Sequence, residues 1–494
     1  MRYLLGVDIG SFSSKGVLLD ETGEVITVRQ RKHEMRVPAA GRAEHDAIED
    51  WWKGFTTLSR GLIEEIGIDP AEIAAVGCSG IGPCALPVTE GGEPLRPAIL
   101  YGVDTRAEVE IAEMIEEFGE QNLLERTGNP LTTQSVGPKV KWLSRHEPDI
   151  FAKTGRIVGC PTFIVHRLTG RFVVDHYGAS CYTPFYNLAE RGWDSDMIET
   201  ICPQSWMPDI AWTTDIVGTV NDAAARETGL APGTLVIAGT IDAASEALSV
   251  GVQEPGDLMI MYGTTAFFIQ VNARLVTDRR FWAAPFLFEG TWSVMGGLAT
   301  GGGLTQWFRK EFTGLDDDDH AFETLMQEAA ESPAGANGLI TLPYFSGERT
   351  PINDPQAKGL IFGLNLMHTR GDLYRSLLEG VGHAIRHNLD TFAEVQPAER
   401  VFAVGGGVKN PVWTQSVSDI ADVRQTIRKQ TIGAALGSAF LAGIGAGIFS
   451  RQDINRINPE VSSVTPDSTR HDAYDKNHAL FRSLYEQNRD LMRL

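Results

Sequence analysis

The strongest constraint on this chain is a pattern that occurs twice, about half a chain apart. Residues 4–9 form an apolar run containing Asp8, residues 10–14 (Gly-Ser-Phe-Ser-Ser) have turn chemistry, and residues 16–19 are apolar again. Residues 257–262, the Gly-Thr-Thr of 263–265 and residues 266–271 repeat that order. Apolar runs separated by Gly and hydroxyl residues predict β-hairpins. A repeated opening predicts two related domains, and the interruption by Gly251, Pro255 and Gly256 puts their boundary near residues 248–256. We therefore expect domains at 1–248 and 249–450, followed by a polar tail at 451–494 that becomes helical from Asp475 onward and packs on the second domain.

After a further run at 25–28, Asp46 with Glu49 has the spacing of a helix N-cap and capping box. Ile48, Trp52, Phe55, Leu58 (or Ser59), Leu62 and Ile66 then recur at helical spacing, and residues 73–77 return as a buried strand. Hairpin, helix and strand in this order argue an α/β fold. One stretch invites a different reading. Residues 431–450 carry no charge and match the length of a membrane span, with Gly433-x-x-x-Gly437 and Gly443-x-x-x-Gly447. Five of those residues are Gly and many are Ala, so the expectation is a helix buried inside a domain, where small residues let another backbone approach.

Charge and cysteine content narrow the function. The formal net charge is −21, which disfavours a nucleic-acid-binding face or an anionic membrane surface, since both need Lys and Arg. Five cysteines without a CxxC pair argue against a disulfide framework or a zinc module. The early acidic Asp8 is unlike a signal-peptide core, so a cytoplasmic location is expected.

Several segments can carry chemistry. In the stretch of residues 8–15, Asp8 stands beside Gly10, the hydroxyls of Ser11, Ser13 and Ser14, and Lys15. Such a turn offers a phosphate free backbone N–H groups, hydroxyl donors and a cation. The carboxylate would repel phosphates unless it holds Mg²⁺, usually through water. It is not a Walker A loop, because GxxxxGK[ST] is absent. Asp242, after the apolar residues 235–238 and between small residues, is a second lone carboxylate suited to accept an alcohol proton. Its bland alternative is an N-cap for a helix starting at Ala243. Gly263-Thr264 is a second phosphate-sized turn, and Gly405-Gly406-Gly407 before Asn410 and Gly301-Gly302-Gly303 before Gln306 are glycine-rich helix entries.

Other features yield to plainer readings. His383-x-x-x-His387 lacks the Glu of HExxH and a third ligand, which favours a helix-face pair. The acidic run at 316–319 lacks the alternating calcium-loop pattern. Cys78 and Cys84 read as small buried residues rather than nucleophiles.

In this order the segments resemble the FGGY family of carbohydrate kinases, and within it the xylulokinase-like branch. The most distinctive stretch is LPYFSGERTP at 342–351, followed by Asn353-Asp354-Pro355 and by GLIFGL at 359–364. It is similar to the pentulose-kinase SGERTP segment. Lys139-Val140-Lys141-Trp142-Leu143 resembles the family's first signature, with Val136 where Pro, Ser or Thr is usual, and residues 359–379 follow the second, with Leu377 off pattern.

The resemblance implies two actin-like, ribonuclease-H-like α/β domains with a central cleft for ATP and sugar. It implies Asp8 as the Mg²⁺-associated carboxylate and Gly10, Ser11, Ser13 and Lys15 as the first phosphate loop. Asp242 becomes the general base and Gly263-Thr264 the second phosphate loop. Gly302 and Gln306 fall near the nucleotide, with Gly405, Gly406 and Asn410 around the adenosine.

On the sugar side the pattern changes. Residues 80–85 read GIGPCA where the branch typically reads GQMHGA, and the Arg-Glu pair of glycerol kinases is absent there. Gly82 and Pro83, with Asp104 and Arg106 of a WxDxR-like segment that here begins Tyr101-Gly102, are the expected substrate residues. Ala243 replaces an amide common beside the base. A buried polar contact is worth about 10⁴ or more in discrimination, so the acceptor is expected to be a ketose or polyol that need not be D-xylulose. Expected partners are therefore ATP, Mg²⁺ and a small sugar or polyol, with no nucleic acid and no membrane; a homodimer stays open. Rival readings are a glycerol or tetritol kinase of the same fold and a non-catalytic ATP- and sugar-sensing clamp. The retained Asp8 and Asp242 argue against the clamp.

Overall fold

The computed structural model describes residues 1–312, 314 and 320–494. The acidic run at 316–319 lies outside the described residues. Two compact α/β units are present, the first made of residues 1–253, 273–293 and 432–459, the second of 254–272, 294–431 and 460–494.

In the first unit, Tyr3–Ile9 and Ser13–Asp20 form the expected hairpin, with Leu5 opposite Leu18 and Asp8 opposite Lys15. Val25–Lys32 extends the antiparallel ladder. The chain then crosses through the helix Lys53–Ile66 and returns as Ile73–Gly80, parallel to the first strand, so that Ser79 becomes the other neighbour of Asp8. Leu235–Ile237 pairs with the same strand, and beyond it Thr240–Ile241 pairs with Ser79–Gly80. That last pairing carries the start of the helix Asp242–Ser249 to the strand ends where Asp8 lies.

Period-two alternation assigns the two faces of this sheet. Leu5, Val7 and Ile9 enter a core with Trp51, Phe55, Leu58 and Leu62. Each such side chain stabilises the fold by about 1.5–3 kcal/mol when fully buried. Ile66 of the expected periodic face is instead 37% exposed and Ile63 is buried at 7%, because the helix ends at once on a left-handed Gly67. The expected capping box also differs. Asp46 accepts the N–H groups of Ile48 and Glu49, but its own N–H goes to Asp50 rather than to Glu49. The first turn, Ala47–Trp52, is π-helical, and its wider winding brings the i+4 carboxylate over the cap.

The opposite face takes the helix Ala434–Gly445, the uncharged stretch that has the length of a membrane span. No helix among the described residues is long and apolar enough to cross a membrane. This one is buried from Ala434 to Gly443. A Cβ at Gly6 would stand 2.2 Å from the Ala435 carbonyl oxygen, one at Gly77 2.3 Å from that of Ser438, and one at Gly437 2.0 Å from that of Ser245. The small residues thus serve backbone approach within one unit.

The second unit repeats the plan. Asp257–Tyr262 and Ala266–Asn272 form a hairpin, and Arg400–Val404 returns parallel to Asp257–Tyr262 after a helical crossover. Gln425–Arg428 and Glu460–Val464 complete that side of the sheet. The crossover contains the helix Arg370–Ala393, whose N-terminus carries a capping box of Thr369 and Asp372. The C-terminal segment is helical over His471–Asn488.

Candidate active site

In the first unit the ends of three strands and one helix gather a cluster of ionisable groups. Asp8 Oδ1 accepts the Ser79 hydroxyl at 2.8 Å. Burial pushes the Asp8 carboxyl above its ordinary range, against the opposing pull of the Ser79 hydroxyl and Lys15. Asp242 is the first residue of its helix and Oδ1 accepts the N–H of Ala243 at 2.7 Å, while Ile241 holds the cap position. Its carboxyl is raised well above the ordinary value by burial and then by the charge of Asp8. Residues 8 and 242 are therefore electrostatic neighbours.

Glu246, one turn after Asp242, is a third member that no sequence pattern singled out. Burial raises it to about 7, reinforced by Asp8 and opposed by Lys15 and the Ala434 N–H. An Asp followed four residues later by a Glu places both on one helix face, which is the signal that was available. Lys15 Nζ donates to the Ile432 carbonyl at 2.8 Å and acts on both Asp8 and Glu246. Three recessed carboxyls against one lysine leave an acidic excess that suits a cation. Among the described residues no three His, Cys, Asp or Glu side chains form a direct metal site.

The turn beside Asp8 has its own order. Gly10 N–H donates to the Ser13 carbonyl at 3.0 Å and the Phe12 carbonyl accepts the N–H of His33 at 3.0 Å. The Ser11 hydroxyl lies 3.2 Å from the Tyr101 hydroxyl, and Gln30 donates to the Ser13 hydroxyl at 2.9 Å. The N–H groups of Ser11 and Phe12 have no protein acceptor among the described residues. Successive backbone amides left without acceptors in a turn are the kind of donors that anion-binding nests use.

Gly82 and Pro83 line a recess of about 360 Å³, counting its open mouth, together with Cys84, Asp175, Tyr182 and Ile241. Asp175 is raised to about 6 by burial, although it accepts the hydroxyls of Thr213 and Thr240 and the N–H of Gly178. Cys84 is buried and its thiol is pushed up to about 12, acted on by both Lys139 and Asp242. With Cys78 likewise buried and raised, neither is a nucleophile. Asp104 and Arg106 are buried in an ion network. Asp104 accepts the Ala43 N–H at 2.7 Å and both Nε and Nη2 of Arg106, and Arg106 also donates to Glu44 at 2.8 Å. Only Nη1 of Arg106 has no partner among the described residues.

The second unit assembles the glycine-rich segments. The N–H groups of Gly301 and Gly303 donate to the Thr264 carbonyl, and that of Gly302 donates to the Gly263 carbonyl at 2.8 Å. A Cβ at Gly302 would meet that same oxygen at 2.8 Å. Gly263, Thr264 and Gly302 are thus one structure, with Gln306 exposed on the helix Gly302–Phe312. Gly405 has φ +93° beneath Tyr262, and Gly406 is exposed with nothing within 4 Å of an added Cβ. Asn410 caps the helix Pro411–Ala421 through Trp413 N–H at 3.1 Å. The His383 ring is buried beside Tyr474, His478 and Phe481, and burial lowers its pKa well below the ordinary value. It serves as a neutral packing group, not a metal ligand.

Residues 3–249 match the N-terminal domain, and 258–446 the C-terminal domain, of the FGGY family of carbohydrate kinases. A xylulose kinase of Escherichia coli is 30% identical over 99% of both chains, and one of Bacillus subtilis 27% identical over 99% of this chain and 98% of that one. The crystal structure of xylulose kinase from Rhodospirillum rubrum superposes with a TM-score of 0.94 at 31% identity, covering 100% of each chain.

Proposed function

On the premise that this chain belongs to the FGGY family of carbohydrate kinases and is an ATP-dependent sugar kinase, we propose that it phosphorylates a terminal hydroxyl of an open-chain ketose or polyol with Asp242 as the base. The observation that carries this reading is the sheet register that sets Asp8 beside Ser79 and the start of the Asp242 helix beside Gly80, next to the two free amides of the residue 10–14 turn. As the acceptor oxygen bonds to the γ-phosphorus and the bond to the ADP oxygen breaks, Asp242 takes the hydroxyl proton. Burial and the charge of Asp8 make this carboxylate a stronger proton acceptor than an ordinary Asp, which favours a general-base role. The Ser11 and Phe12 amides, with the turn of Gly10 and Ser13, hold phosphate oxygens through donors set in place beforehand. Asp8 would hold Mg²⁺, and the ion when bound would offset negative charge on the transferring phosphates. Lys15 balances Asp8 and Glu246 rather than standing free.

In the second unit Gly263, Thr264 and Gly302 form the second phosphate loop. Gly405 and Gly406 leave open backbone for the adenosine, with Gln306 and Asn410 at its margins. Gly82 and Pro83 offer no side-chain donor to the acceptor, so its recognition falls to the free Nη1 of Arg106 and to shape, with Asp104 orienting Arg106.

The test is Mg²⁺-dependent ADP release across ketopentoses, ketohexoses, tetritols, pentitols and glycerol. Release with one ketose or polyol class is expected, and Asp242→Asn should fold normally yet lose about 10²–10⁴ in turnover. Near-normal turnover of that variant rejects the assignment of the base.

A further inference from the structure

Two histidines from outside the residue 10–14 turn determine which way its peptides face. The indole N–H of Trp51 donates to His45 Nδ1 at 3.1 Å. Indole nitrogen is only a donor, so neutral His45 carries its proton on Nε2, and Nε2 donates to the Ser11 carbonyl at 3.0 Å. His33 Nε2 lies 2.9 Å from the Gly10 carbonyl, which can only accept, so it too is the protonated nitrogen. The two rings meet edge to face at 5.2 Å between centroids.

A trans peptide points its C=O and N–H in opposite directions. The carbonyl of Gly10 shares a peptide with the N–H of Ser11, and that of Ser11 with the N–H of Phe12. Each histidine therefore grips the back of one free amide. Burial, and then the neighbouring His33, lower His45 to about 4, which keeps it neutral at physiological pH. A second ring proton would face the Trp51 N–H.

We propose that His45, oriented by Trp51 and paired with His33, is a positioning residue that aims the Phe12 and Ser11 amides at the phosphates of ATP. The proposal rests on the kinase reading above, since it needs that turn to be the phosphate site. It involves no contact between either histidine and the nucleotide.

The experiment uses the full chain and three variants. His45→Leu removes both hydrogen bonds, while His45→Gln can accept from Trp51 through Oε1 and donate to Ser11 through Nε2. His33→Leu removes the second grip at a partly exposed position and keeps the test open if His45→Leu does not fold. Mg·ATP affinity is read by calorimetry, KM for ATP and for the acceptor by turnover, and folding by circular dichroism. His45→Leu and His33→Leu should each weaken Mg·ATP at least tenfold with the acceptor KM unchanged, and His45→Gln should recover most of the loss. A merely structural role would lower the melting temperature and leave the ATP KM alone. Folded leucine variants with wild-type Mg·ATP affinity overturn the proposal. Wild-type protein that binds Mg·ATP but phosphorylates no acceptor overturns the kinase reading instead, and leaves the brace standing.

Discussion

Lys139 lies on the helix Val136–His146, is 1% exposed, and its ammonium has no hydrogen-bond partner among the described residues. Burial lowers its pKa from 10.5 to about 8, with Cys84 and Asp104 pulling the other way. At 1.36 kcal/mol per pH unit, keeping this amine charged in the folded state costs about 3 kcal/mol. Between pH 8 and 10.5 the unfolded chain binds more protons at this position than the folded one, so stability rises with pH across that window and the full cost applies below it. Lys139→Met keeps an unbranched stem and removes the charge. Asp104 loses an attractive neighbour but keeps Arg106 at 2.7 Å. The expected gain at pH 7 is therefore about 1–3 kcal/mol, as when other buried ions are replaced by apolar groups. It should narrow as pH approaches 10. Urea unfolding at pH 7 and pH 9.5 reads both numbers. A variant less stable than wild type at pH 7, or a difference independent of pH, would refute the claim that this ammonium is buried without compensation.

Two further outcomes follow from contacts already given. Gly437→Ala places a methyl group 2.0 Å from the Ser245 carbonyl oxygen and 2.6 Å from its hydroxyl; the helix must move, at about 1–3 kcal/mol, and an unchanged urea midpoint would contradict that packing. Asp8→Asn removes the charge that helps raise Asp242, so the Asp242 carboxyl should titrate at lower pH in ¹³C-NMR, whereas an unmoved titration would show the two groups to be uncoupled.

Both hairpins could be read from local pattern, because an apolar run, a Gly and hydroxyl turn and a second run act between near neighbours. The same holds for the buried role of the Gly- and Ala-rich stretch, whose composition is too small and too weakly apolar for lipid. The first helix shows the limit of such reading. Asp50 takes the place of Glu49 at the cap, because the turn is π-helical and its wider winding is not encoded in the capping-box spacing. Asp104 and Arg106 stand out as a pair in the sequence, but the Glu44 carboxylate and the Ala43 N–H that fix them lie about sixty residues earlier and cannot be read from that segment. Glu246 is not legible in the sequence, because a Glu among small residues on a helix looks solvated until the Ala434 helix covers it.

By itself the sequence determined the types of element, the duplicated hairpins, and which residues have side chains suited to phosphoryl chemistry, since these depend on side-chain character and short-range periodicity. Tertiary structure alone decided which of them meet. The strand Ile73–Gly80 has Asp8 beside Ser79 and the approach to Asp242 beside Gly80. A hydrogen-bond ladder sets that register without regard to distance along the chain. Contacts between residues distant in the chain likewise set His33 and His45 behind the residue 10–14 turn and bury Lys139, outcomes that no local stretch of residues encodes.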